Sequence, residues 1–114
     1  MTLLINMAEL PLRGETARVF DGSQYGDTNI SFFLIDAPSG EGPSLHSHPY
    51  EEIFVIQAGQ VTFKVGDATI EATGGQIVIA PAGIPHKFVD SGTALLRSIN
   101  IHPSSCMITE WLED

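Results

Sequence analysis

Three residues in the middle of the chain have types and spacing that suit metal chemistry. His46 and His48 are two apart and Glu52 follows four residues later. Residues i and i+2 of a strand share a face, so the two imidazoles project together. Glu52 has the same parity, although Pro49 and Tyr50 interrupt the stretch between. Facing inward, these residues would carry Phe54 and Ile56 in with them, giving a face polar at one end and apolar at the other. Imidazoles and a carboxylate on one face can hold a divalent transition ion. A bare H-x-H pair is more often a surface or hydrogen-bonded core feature, so the elements around it must decide. Two further histidines, His86 and His102, are too distant for spacing to place them.

Those elements read as short strands. Residues 30–35 (ISFFLI) form an apolar run that ends in a loop at 36–40. Residues 52–56 and 61–65, rich in β-branched and aromatic types, predict a hairpin across 57–60. A turn at Gly66-Asp67 leads into 68–72, Gly74-Gly75 punctuates, and 76–80 runs to Pro81-Ala82-Gly83. Residues 86–89 and 94–101 are expected to pair across 90–93. Two segments have helical character, a turn near 8–12 and the tail at 108–112. Eleven glycines and seven prolines suit this turn-rich pattern and not a helical bundle.

The chain of 114 residues, 43% hydrophobic and 17% charged, is sized and composed for one globular domain over 1–114. Area scaling gives about 6,000 Å² exposed after folding, with roughly two-thirds of the unfolded surface buried. Fourteen acids against five bases, a net charge of −9, argue against nucleic acid and anionic membranes as partners. The single cysteine, Cys106, excludes an internal disulfide or a multi-cysteine zinc site and reads as an inert residue. No apolar run reaches the roughly 20 residues of a membrane span. The first seven residues lack the basic flank and cleavage site of a signal peptide, so a cytoplasmic location is expected.

Two longer motifs lift the histidines out of this background. Gly40-EGPSL-His46-S-His48-PYE-Glu52-IFVIQA-Gly59 resembles the first motif of the cupin family. Gly75-QIVIA-Pro81-A-Gly83-IP-His86-KFV-Asp90 resembles the second. All spacings fit, and the one departure is Asp90 where the pattern has Asn. Beside a turn the two residue types are expected to be near equivalents. The resemblance implies an all-β fold, the double-stranded β-helix (jelly-roll) barrel, with a motif core at about 30–103. The N-terminal edge segment and C-terminal tail would pack outside. It implies His46, His48, Glu52 and His86 as ligands of one divalent transition metal: Fe, Mn, Ni, Co, Cu or Zn. Glu52 could also leave the metal and serve as a catalytic base. The expected function is a small-molecule metalloenzyme of dioxygenase type. The alternatives are a non-catalytic binding module and a non-redox isomerase, with sugar phosphates disfavoured by the scarcity of basic residues.

Candidates for the pocket are Tyr50, Phe54, Phe63, Phe88, Ser98 and Asn100. On the strand that contains the last two, a tight turn at 91–92 would send Arg97 inward. A looser loop or bulge would turn Ser98 and Asn100 inward instead, and this is the expectation. His102 would then lie near a barrel end, and Glu51 would be a solvated charge. A small-molecule ligand and a homodimer are the expected partners. The dimer would use residues 2–6 as an added edge strand, and Trp111 would serve packing or that contact.

Overall fold

Each inward position of the barrel is filled from a strand whose residues alternate between faces. The computed structural model describes residues 3–113. Strands β1 (Leu12–Arg13), β2 (Ala17–Phe20), β3 (Ser31–Ala37), β5 (Glu52–Ala58), β8 (Ile77–Ala80) and β10 (Leu96–His102) form one sheet. Its order is β1-β2-β3-β10-β5-β8. The second sheet, in the order β11-β4-β9-β6-β7, comprises β4 (His46–Ser47), β6 (Gln60–Val65), β7 (Ala68–Thr73), β9 (His86–Asp90) and β11 (Glu110–Trp111). All pairings are antiparallel. The fold is the all-β double-stranded β-helix barrel. Among the described residues no helix is long and apolar enough to cross a membrane.

The expected strands are present, but two of the expected hairpins are not. β5 and β6 are joined at Gly59 yet lie in different sheets, as do β9 and β10. Gly59 turns the chain between the sheets with φ +91, and a Cβ there would meet the Leu95 carbonyl oxygen at 2.6 Å. A corner this close to the neighbouring backbone directs β6 away from β5 and onto β7 and β9. The hairpin across Gly66-Asp67 does form, pairing β6 with β7.

The tail corrects a further expectation. Residues 108–112 are not helical; β11 pairs with β4 through Glu110↔Ser47 and Trp111↔His46. Leu112 N–H continues the ladder to Leu45 carbonyl at 2.9 Å. Backbone partners on β4 outweigh the short tail's helical tendency, because so short an isolated helix is marginal. A 3₁₀ turn at Met7–Glu9 stands close to the expected helical turn. Of the expected edge segment, Thr2 lies outside the described residues and 3–6 form no strand.

Phe54, Phe63 and Phe88 pack against one another at 4.7–5.7 Å between ring centroids, with Ile56, Val61 and Leu96 around them. Asp90 closes the far end of β9, 1% exposed. Its Oδ1 accepts Gly92 N–H at 2.9 Å, while Oδ2 is buried without a partner. An Asn here would keep the turn bond through Oδ1 and place its amide nitrogen where Oδ2 has no partner, so either residue type serves the turn and leaves one buried polar atom unsatisfied. Asp90→Asn should match the parent in stability to within about 1 kcal/mol, and Asp90→Ala, which loses the turn bond, should lose about 1–2 kcal/mol. Urea unfolding would check the order; an Asn variant weaker than the Ala variant would refute it.

Candidate metal centre

The site is assembled where the two sheets meet. In the second sheet His46 of β4 pairs directly with His86 of β9, so their rings lie 4.5 Å apart. After Ser47 the chain leaves that sheet, passes Pro49, and enters the first sheet at Glu52. The shared facing of His48 and Glu52 thus comes from a crossing between sheets and not from one continuous strand. One ligand atom from each of His46, His48, Glu52 and His86 lies within 4.8 Å of the other three, and all four residues are buried.

The three rings are oriented by backbone carbonyls. Nδ1–H of His46 donates to Ser44 (2.7 Å), that of His48 to Ile108 (2.8 Å) and that of His86 to Ile84 (3.1 Å). With tautomers assigned from these partners, each Nε2 carries a lone pair. Nε2 of His48 and His86 lie 2.9 and 3.1 Å from Glu52 Oε1. Two lone pairs facing a carboxylate oxygen repel unless an electrophile, a proton or a metal ion, lies between them. Carbonyl-anchored imidazoles are the usual support of metal-bound histidine. The N3O donor set fits a divalent transition ion.

His102 joins this cluster from β10, 1% exposed, with Nε2 3.2 Å from Glu52 Oε2 but out of hydrogen-bond alignment. Tyr50 Oη accepts Ile108 N–H at 3.0 Å and lies 2.6 Å from His102 Nδ1. Burial raises the Tyr50 phenol, so it keeps its proton and donates it to Nδ1. That leaves the His102 proton on Nε2, the tautomer opposite to the other three. Inward parity with Ser98 and Asn100 was the only sequence signal for this placement.

Burial alone would push the Glu52 carboxyl up, but hydrogen bonding from His102, His48 and His86, with a proton in the place of the electrophile when no metal is bound, outweighs it and holds the carboxyl far below the ordinary range. Burial lowers His46, and the neighbouring His86 and His48 add to this against the Ser44 carbonyl and Glu52. One anion and a neutral imidazole are thus maintained in the cluster.

A cleft of about 240 Å³ opens over the site, lined by His46, His48, Glu52 and His102 and walled by Phe33, Ile35, Phe88 and Trp111. Asn100 and Phe88 reach it. Ser98 lies behind Asn100, donating to its Oδ1 at 2.8 Å, and Tyr50 lies behind His102. Phe54 and Phe63 belong to the core. Strand β10 alternates without a break, so Ser98 and Asn100 face inward with Leu96 and His102 while Arg97 is exposed; the register shift against β5 leaves Gln57 of β5 as the extra residue. Trp111, expected outside, is at the rim with its ring 4.9 Å from His46, because β11 pairs with β4. Sequence reasoning missed Arg13, Phe33 and Thr109, which enter from β1, β3 and the tail and carried no local signal. Cys106 and Glu51 are exposed.

The profile of the Cupin_2 family, described as a cupin domain, matches residues 33–102. An uncharacterized protein of Streptomyces coelicolor is 31% identical over 62 residues, 54% of this chain and 59% of that protein. The chain thus spans about three-fifths of the length of that curated relative. Oxalate decarboxylase of Bacillus subtilis, a protein with Mn(II) centres, superposes with a TM-score of 0.80 at 19% identity, over 92% of this chain and 30% of that one. An uncharacterized Klebsiella pneumoniae protein with a double-stranded beta-helix domain matches over 100% of both chains, with a TM-score of 0.76 and 15% identity.

The lowered His46 and Glu52 leave the unfolded chain binding protons more readily than the folded one across the acidic range, where the raised Tyr50 phenol does not titrate. Stability is therefore full at higher pH and is lost as pH falls. For the metal-free protein the loss should begin below 6.5, where unfolded His46 protonates, and steepen below 4.5, where unfolded Glu52 does. Urea midpoints across this range would show it, and a flat profile would contradict the assignment.

Proposed function

The chain belongs to the cupin family, and from that premise we propose that it is a metal-dependent enzyme of dioxygenase type acting on a small molecule. The observation that carries this reading is the convergence of three carbonyl-anchored imidazoles on the buried Glu52 carboxylate at the floor of an apolar cleft. His46, His48, Glu52 and His86 would hold the ion. A divalent transition metal bound there supplies positive charge and free coordination positions for substrate and dioxygen.

The chain's own residues do the remaining work. Phe33, Ile35 and Phe88 exclude water, which strengthens every polar contact inside the cleft. Asn100, with Oδ1 engaged by Ser98, offers its amide N–H group to a substrate oxygen. His102, fixed by Tyr50, sets its Nε2 3.2 Å from Glu52 Oε2 and leaves Oε1 to the other histidines.

Protein purified without added metal should contain about one transition ion per chain. His48→Ala should lose most of it while circular dichroism still reports the barrel, because His48 belongs to the crossing between the sheets and not to the hydrophobic core. Stoichiometric metal in the variant would sink the four-residue assignment. Oxygen uptake with dicarbonyl, catechol, thiol or arylalkanoate probes supports the dioxygenase reading; bound metal without uptake from any of them rejects it in favour of non-redox work.

A further inference from the structure

Among the described residues the cleft is lined by one arginine and no lysine, and that arginine, Arg13, makes no salt bridge. Cross-strand pairing sets Arg13 opposite Ala17, Ala17 opposite Ile35, and Ile35 opposite Ser98, a row on the inner face of the first sheet. Arg13 therefore faces the cleft, its guanidinium 5.5 Å from the Phe33 ring centroid. The Phe33 ring in turn lies 5.6 Å from that of His102, so one aromatic layer separates the cation from the histidine cluster. Arg18 donates to the Leu10 carbonyl, Lys87 pairs with Glu113 and Arg97 with Asp36. Among the described residues Arg13 has no carboxylate partner, in a chain of net charge −9.

Resting on the metal-centre reading above, we infer that the substrate is a small monocarboxylic acid with an apolar body, its carboxylate held by Arg13. A planar guanidinium matches a carboxylate with two parallel hydrogen bonds. Phe33, Ile35 and Phe88 cover the body, and Asn100 meets a polar group near the cluster. Glu41 also lines the cleft and repels a second anionic group, while one cation is too few for a phosphate. The volume of about 240 Å³ admits a molecule of phenylpropanoate size.

The test is an NMR titration of the metal-loaded protein with 3-phenylpropanoate and with its neutral counterpart, 3-phenylpropanamide. The acid should bind about tenfold more tightly than the amide. Arg13→Gln should abolish that preference without changing amide affinity or metal content, and Arg13→Lys should restore part of it. Equal binding of acid and amide, no measurable binding of the acid, or a preference that survives Arg13→Gln overturns the inference. Metal content separates the two readings. Wild type without metal sinks the metal centre alone, whereas loaded protein without an Arg13-dependent preference sinks only this inference.

Discussion

A carboxylate buried to 3% exposure is the constraint around which the barrel is organised. Glu52 cannot remain ionised there unless compensating groups reach both oxygens, because an uncompensated buried charge costs several kcal/mol. The compensation comes from both sides of the barrel. His46 and His86 belong to the five-stranded sheet, His48 to the crossing, and His102 to the six-stranded sheet with Glu52 itself. The polar cluster therefore ties the sheets together at one end, as the phenylalanine cluster does in the middle. The two meet where Phe54 packs 5.9 Å from His86.

The C-terminal segment serves the same constraint from outside. Ile108 uses both backbone groups, its carbonyl on His48 and its N–H on Tyr50. Glu113 then holds the segment through Leu45 N–H and Lys87. A tail that supplies an anchor for one imidazole, fixes the phenol behind another and raises Trp111 at the rim is part of the site's support. Such outer partners set tautomer and orientation, and these decide whether a lone pair or a proton faces the carboxylate.

The six-stranded sheet divides its labour by parity. Its inner residues build the site and cleft, from Arg13 at the rim to Glu52 and His102 on the floor. Its outer residues are almost all apolar. A one-residue slip in register would exchange the two sets, so the unbroken pairing of β10 with β3 fixes what the cleft contains.

Local patterns in the sequence carried the strands, the glycine corners, the common facing of His46 and His48, and the two motifs that bring in Glu52 and His86. These depend on the period-two geometry of strands and on turn chemistry, which act over a few residues. Partner choice did not follow from them. β5 with β6, and β9 with β10, look like hairpins because each pair is close in the chain, yet core packing sends the members of each pair to different sheets. His102, Arg13 and the β11 tail were left to the tertiary structure for the same reason. Tyr50 and His102 are 52 residues apart, and His48 and Ile108 are 60. Contacts at that separation are fixed by register across the closed barrel, a property of all the strands together that no local spacing encodes.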